Sequence, residues 1–241
     1  MSEMRAQINS RLNGLTREFD IIAHNLANVS TVGYKRRCNA FSKSLFAQET
    51  GTEESGEVNL NTAFDFSQGR VIQTGRSLDF ALCGKGFFVI ETPDGPLYTR
   101  NGMFHLDQNG QITDTSGRIV AGQVGAIAIP SNAGVSQINV SSDGSISAAG
   151  TAVGKFKLVD FKDKQDELVA VGFNCFHAPK TVKPQTPENL IVKQGFQESS
   201  NVQMVKELVE MIMVTRLYEA NMKCMSVDKD TSKSLLSVAM G

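Results

Sequence analysis

Residues 8–29 read INSRLNGLTREFDIIAHNLANV, and the spacing of their apolar members decides how the chain is built. Ile8, Leu12, Leu15, Phe19, Ile22, Leu26 and Val29 recur at alternating steps of four and three. A mean step of about 3.5 residues is the repeat of a coiled-coil seam, not the period of two of a strand. Arg11, Arg17, Glu18 and Asp20 occupy the other face. A helix is therefore expected, with Gly33 as its stop. One helix cannot bury such a stripe against itself, so the stripe requires a partner.

The far end of the chain repeats the pattern. Ser199-Ser200-Asn201 offers N-cap residues, and Glu207 and Glu210 fall in the early turns that follow. Val202, Val205, Leu208, Val209, Ile212, Tyr218, Met222 and Met225 supply an apolar face, and a second, weaker helical stretch reaches Met240.

Between these ends the character changes. Phe87-Phe88-Val89-Ile90 reads as a strand, Pro93-Asp94-Gly95-Pro96 as a turn and Leu97-Tyr98-Thr99-Arg100 as the next strand. Asp107-Gln108-Asn109-Gly110 turns the chain before Gln111-Ile112-Thr113, and Asp143-Gly144 precedes Ser145-Ile146-Ser147. Lys155 to Phe161 (KFKLVDF) alternates with period two. Short strands with frequent turns and no helical pattern between them argue for antiparallel pairing, not βαβ units. The expected fold class is mainly β with terminal α-helices: an antiparallel β barrel or sandwich flanked by N- and C-terminal coiled-coil helices. The expected divisions are an N-terminal helix segment over residues 1–47, a flexible polar loop over 48–57, a β-rich domain over 58–197 and a C-terminal helix over 198–241 that pairs with the first.

Composition narrows the function. Lys and Arg number 24 against 25 Asp and Glu, a net charge of -1, so no basic excess suggests a nucleic-acid partner. Lys35-Arg36-Arg37 is the nearest thing to a basic run and suits a solvated helix end. No apolar run approaches the ~20 residues that span a bilayer, so membrane insertion is not expected. Arg5, Gln7, Asn9, Arg11 and Asn13 interrupt what would be the apolar core of a cleaved signal peptide. The chain is expected either to stay in the cytosol or to leave by a route that uses no such signal.

No catalytic, cofactor or metal site is expected. Cys38, Cys83, Cys175 and Cys224 form no CxxC pair and suit free, partly buried thiols, although one or two disulfides remain open. His24, His105 and His177 lie far apart without an HExxH context. Gly84-Lys85-Gly86 fails the spacing of a Walker loop and of GxGxxG, which leaves a tight turn into a buried strand. Asp107 to Gly110 carries only a fragment of a calcium loop, and no GxSxG elbow is present.

Several stretches resemble one family. Asn25 to Lys35 (NLANVSTVGYK) resembles the NLANxxTxGYK signature of flagellar rod and hook proteins. Leu78 to Ile90 (LDFALCGKGFFVI) is similar to the family's LDxAIxGxGFFxV block, followed by Tyr98 to Phe104 against YTRxGxF and Asp107 to Gln111 against DxxGx. Glu198 to Val202 matches ESSNV, and Met211 to Asn221 is similar to MIxxxRxYExN. His24 departs from the usual Asn, Leu217 from the usual small or aromatic residue, and four cysteines are unusual for an exported axial protein. The length is short for a hook protein. A single β domain suits a proximal or distal rod protein, and Val153 to Phe161 looks closer to the proximal type.

The resemblance implies a non-enzymatic structural subunit of the basal-body rod, polymerising into the axial drive shaft of the flagellum. It implies partners in copies of itself, other rod subunits and the flagellar type III export apparatus, and a periplasmic location reached without a cleaved signal. Together with the stripes it gives an expected subunit interface of Leu12, Leu15, Phe19, Ile22, Asn25, Leu26, Asn28, Gly33 and Tyr34 near the first helix. Asn201, Val202, Val205, Leu208, Ile212, Arg216, Tyr218 and Asn221 are its counterparts near the last. The alternative is a β-rich carbohydrate- or surface-binding module with coiled-coil oligomerisation helices. The absence of Trp and a count of only three Tyr weigh against that reading.

Overall fold

The computed structural model describes residues 2–39 and 62–240, so the expected loop over 48–57 lies outside the described residues. The chain divides into two compact units, which the backbone enters and leaves more than once.

The first unit draws on residues 1–27, 37–63 and 202–241. Helix α1 runs Ser2–Ala27 and helix α2 runs Met204–Met240, and the two are in contact. A short strand pair, Arg37–Asn39 with Thr62–Phe64, follows α1 in sequence. The helix limits differ from the sequence expectation in three ways. α1 ends at Ala27, so Val29 is not helical; turns closed by Thr31 N–H to Asn28 O (3.1 Å) and Tyr34 N–H to Thr31 O (3.3 Å) take over. α2 begins at Met204 because Ser199-Ser200-Asn201 is used elsewhere: Ser199 N–H bonds Arg70 O at 2.8 Å, and Asn201 Oδ1 accepts from Arg36 N–H at 2.7 Å. The last stretch is one helix of 37 residues, not two.

The second unit comprises residues 28–36 and 64–201. Its main sheet has nine strands. Seven lie in the order Val169–Gly172, Cys175–His177, Leu97–Thr99, Phe87–Glu91, Ile119–Gly122, Ile112–Thr113 and His105–Leu106. Gly125–Ala126 joins beside Ile119–Gly122, and Leu158–Val159 beside Phe87–Glu91. The strands of this sheet pair antiparallel, with Val89 opposite Tyr98 and Val159 opposite Phe87. A three-stranded sheet (Ile138–Val140, Ser145–Ala148, Thr151–Lys155) and two ribbons complete the unit. The ribbons pair Ile191–Gln194 with Phe80–Cys83 and Phe196–Glu198 with Val71–Gln73.

The continuous apolar run Phe87-Phe88-Val89-Ile90 is explained by burial on both faces. Alternate side chains of a strand point to opposite sides. Phe88 and Ile90 enter a core with Phe80, Leu82, Phe104 and Phe156, whereas Phe87 and Val89 enter a second core with Tyr98, Phe161 and Phe176. Edge-to-face ring pairs knit both, such as Phe88 with Phe104 at 5.1 Å and Tyr98 with Phe161 at 4.8 Å.

The main sheet is open from Val169–Gly172 to His105–Leu106, and no closed barrel forms among the described residues. The expected strand over 155–161 is also broken. Thr151–Lys155 pairs with Ser145–Ala148, while Leu158–Val159 pairs with Phe87 and Phe88. Phe156 bridges Gly122 between them. The chain passes here from one sheet to another, which period-two alternation cannot reveal.

Candidate assembly site

Three segments far apart in sequence meet at one carboxylate in the β unit. Glu198 Oε1 accepts from Lys35 Nζ at 2.7 Å and from Gly69 N–H at 2.9 Å. Its Oε2 lies 3.0 Å from Arg100 Nε, a charge contact without hydrogen-bond alignment. All three side chains are at least 98% buried, with relative exposures of 1% for Lys35, 2% for Arg100 and 0% for Glu198. Lys35 Nζ also donates to Ser67 O at 2.7 Å, and Arg100 Nη1 donates to Gly84 O (2.8 Å) and Gly86 O (2.7 Å).

Two buried cations face one buried carboxylate. Burial pushes the Lys35 ammonium below its ordinary value, Glu198 pulls it back up, Arg100 lowers it again and Asp65 adds a smaller upward pull. Such a cluster holds only while every member keeps its partner.

The segment that delivers Lys35 is fixed by backbone geometry. Gly33 adopts φ +69°, and a Cβ there would lie 2.5 Å from Asn101 N. Its N–H donates to Glu198 O at 2.7 Å. Asn201 Nδ2 reaches Asp65 O at 2.8 Å, and Asn174 Nδ2 reaches Val32 O at 2.9 Å. Gly69 is equally constrained, because a side chain would overlap the Ser199 carbonyl. Tyr34 is buried, and Asn28 Oδ1 accepts from the Thr31 hydroxyl at 3.1 Å.

In the helical unit the central polar residue is Asn25, which is fully buried. Its Oδ1 accepts from Arg37 N–H at 2.8 Å, and its Nδ2 donates to Arg37 O at 2.9 Å and to Glu207 Oε2 at 3.1 Å. The amide therefore completes the polar contacts of the chain after α1 and ties α1 to α2. A buried polar pair of this kind specifies register between helices, since any shift leaves a donor or acceptor unpaired.

The apolar stripes are placed unevenly. On α1, Ile22 is buried, Leu12, Leu15 and Leu26 are half-buried, and Phe19 is exposed. Among the residues of α2 whose side chains are described, Glu207 and Val214 are buried, seven apart, with Val202 buried just before the helix. Val205 (75% exposed), Leu208, Ile212, Arg216 and Tyr218 face solvent, while Asn221 is half-buried and donates to Leu217 O at 2.7 Å. The apolar exposure is widened by Val209, Met213, Leu217 and Met222. Five of the expected α2 interface residues, Val205, Leu208, Ile212, Arg216 and Tyr218, are thus on the outer face, not against α1.

Lys35, Arg100 and Glu198 lie inside the family motifs, yet the expected interface includes Asn25 and Gly33 and none of these three. The available signal was charge at fixed motif positions among otherwise apolar strands. The four cysteines are free thiols; burial raises the Cys175 thiol, partly offset by Arg118, whose Nη2 lies 3.1 Å from Sγ. No helix among the described residues is long and apolar enough to cross a membrane.

Three family descriptions match successive parts of the chain: "Flagella basal body rod protein" over residues 9–35, "Flagellar hook protein FlgE/F/G D1 domain" over 81–148, and "Flagellar basal body rod FlgEFG protein C-terminal" over 193–238. The chain is 33% identical over 244 residues to the flagellar basal-body rod protein FlgG of Buchnera aphidicola subsp. Acyrthosiphon pisum, covering 90% of this chain and 92% of that protein. It is 31% identical over 231 residues to FlgF of Caulobacter vibrioides (93% of each). It is 28% identical over 256 residues to FlgG of Bacillus subtilis (95% and 96%).

Proposed function

Because the chain belongs to the flagellar basal-body rod protein family, as a structural subunit of the rod, we propose that the outer face of α2 is the surface by which it joins neighbouring rod subunits. The observation that carries this reading is the unpartnered stripe of Val205, Leu208, Val209, Ile212 and Met213 beside a face already occupied by Glu207 and Val214. An apolar stripe this long has a large free-energy incentive for burial, at roughly 25 cal/mol per Å² removed from water. Copies of this chain or other rod subunits supply the covering helices, in coiled-coil fashion, and the β unit contributes the remainder of the shaft. The role requires no catalysis. The subunit reaches the periplasmic rod through the flagellar type III apparatus.

The test replaces Leu208 and Ile212 by Glu in the full chain. Both side chains are exposed, so the melting transition of the purified subunit should stay within a few degrees of the parent. Incorporation into basal bodies and swimming should be lost. Normal swimming by the double variant would rule out the α2 stripe as the joining surface.

A further inference from the structure

Residues 191–201 are the last stretch of the β unit, and they bind parts of it that precede them by up to 165 residues. Ile191–Gln194 pairs with Phe80–Cys83, and Phe196–Glu198 with Val71–Gln73. Val192 N–H donates to Ser142 O at 2.9 Å, Gly195 N–H to Asp79 O at 2.8 Å and Ser199 N–H to Arg70 O at 2.8 Å. The side chains add to this. Gln194 Nε2 donates to Ser77 O and Ile138 O, both at 2.8 Å, and its Oε1 accepts from Val140 N–H at 2.9 Å. Gln197 Nε2 donates to Asp79 Oδ2 at 2.7 Å. Glu198 supplies the carboxylate of the buried cluster, and Asn201 Oδ1 accepts from Arg36 N–H.

Little of this grip is apolar. Within the stretch Val192 enters a hydrophobic core, whereas Ile191 is 48% exposed and Phe196 is half-buried. The partner strand Val71–Gln73 is half-buried at Val71 and exposed at Ile72 and Gln73. Residues 28–36 have the same character. Tyr34 is buried but belongs to neither core, and the segment meets residues 191–201 through Gly33 N–H to Glu198 O, Lys35 Nζ to Glu198 Oε1 and Arg36 N–H to Asn201 Oδ1. Regions with few buried apolar contacts open before the rest of a domain. A two-stranded ribbon has little stability of its own. A buried ionic cluster also fails as a whole, because the departure of one member leaves the others as buried charges without a partner. The main sheet is held differently, with Phe87 to Ile90 buried on both faces.

We propose that residues 191–201 are a strap that opens and closes as one piece with residues 28–36, while the main sheet stays formed. The strap is a conformational device: residues 28–36 are where the chain enters the β unit and Asn201 is where it leaves, so a single clasp at Glu198 fixes both points. All the residues involved lie in the β unit, so the proposal stands or falls independently of the α2 stripe.

The experiment is native-state amide exchange on the full chain, in guanidinium below the unfolding transition. The amides of Gly33, Arg36, Val192, Gly195 and Ser199 should share one opening equilibrium, more frequent by at least about tenfold than that of Val89 and Tyr98 in the main sheet. This arm needs no variant. Exchange of the five at the rate of Val89 and Tyr98, or at five unrelated rates, would overturn the proposal. Two substitutions then separate strap from sheet. Phe161 packs on Phe87 at 5.8 Å and Tyr98 at 4.8 Å, away from the strap. Phe161→Leu should therefore quicken exchange at Val89 and Tyr98 by about tenfold and leave the five strap amides within about twofold of the parent. Glu198→Gln should quicken all five by at least about a hundredfold, Gly33 and Arg36 included. Strap amides that follow the sheet in Phe161→Leu would show that the strap opens only with the whole unit. Parent-like exchange at Gly33 and Arg36 in Glu198→Gln would show that the two segments are not one piece; either result sinks the idea.

Discussion

Replacing Glu198 by Gln tests how far the β unit depends on its buried carboxylate. The amide has the same shape, and its oxygen can still accept from Lys35 Nζ and Gly69 N–H, which lie 2.7 and 2.9 Å from Oε1. Two things are lost. The Gln NH₂ now faces Arg100 Nε, a donor against a donor where the parent has 3.0 Å of charge contact. The site also holds two buried cations with no anion between them. Removing one member of a buried ion pair costs about 3–5 kcal/mol. At roughly 2–4 °C per kcal/mol for a chain of this length, the melting transition should fall by on the order of 10 °C.

The pH dependence carries a sign. Lys35 in the folded protein sits below its ordinary value of 10.5, because burial and Arg100 outweigh Glu198. Between the folded and unfolded values the unfolded chain binds more protons, so stability rises as pH rises through that window. Without the Glu198 charge the folded value drops further, so the variant should gain more stability than the parent as the pH rises toward 10.5. Lys35→Met gives the contrast: it leaves Arg100 and Glu198 as a balanced pair and should cost less than Glu198→Gln. Denaturant titrations of the three proteins, followed by near-ultraviolet signals of the β unit, would measure the differences. A Glu198→Gln variant within about 1 kcal/mol of the parent, or one less damaging than Lys35→Met, would refute the charge argument.

Other outcomes follow from the same contacts. Asn25→Ala leaves Arg37 N–H and Glu207 without their amide partner; the cost should be about 1–3 kcal/mol, read as faster amide exchange along α1 near residue 25. Unchanged exchange there would remove the clasp role. Gly33→Ala combines a left-handed backbone with a Cβ 2.5 Å from Asn101 N, so it should destabilise by more than about 1 kcal/mol, and a parent-like melting curve would contradict the close approach.

The helices and strands were legible because they depend on local periods. Phe87 to Ile90, the turn at Pro93 to Pro96 and the hairpin at Asp107 to Gly110 all stand where the side chains place them: Gly95 N–H bonds Thr92 O at 3.0 Å and Gly110 N–H bonds Asp107 O at 3.1 Å. Gly33 has a positive φ, but α1 already ends at Ala27, so Gly33 serves the approach to Glu198 and Asn101 and is not the helix stop. Ser199 to Asn201 misled because N-cap residues are equally good partners for a distant backbone, and here Asn201 spends its amide on Arg36, Asp65 and Ser67. The barrel expectation failed for a related reason. Strand count and turn spacing constrain pairing between sequence neighbours, but closure depends on whether the first and last strands of the sheet meet.

The sequence by itself determined the two terminal helices, the antiparallel β middle and, through its motifs, the family, because heptads, alternation and turn residues act over a few positions. Tertiary structure decided which face of α2 turns inward. A stripe rich enough in Val, Leu, Ile and Met has more than one apolar side, and the bond from Asn25 to Glu207, 182 residues away, fixes one that meets α1. It also decided that Lys35, Arg100 and Glu198 form one cluster. The 163 residues between Lys35 and Glu198 leave no local signal of their meeting. That contact exists only once the long chain between them has closed around a shared core, and burial then leaves each charge dependent on the others because water no longer reaches them.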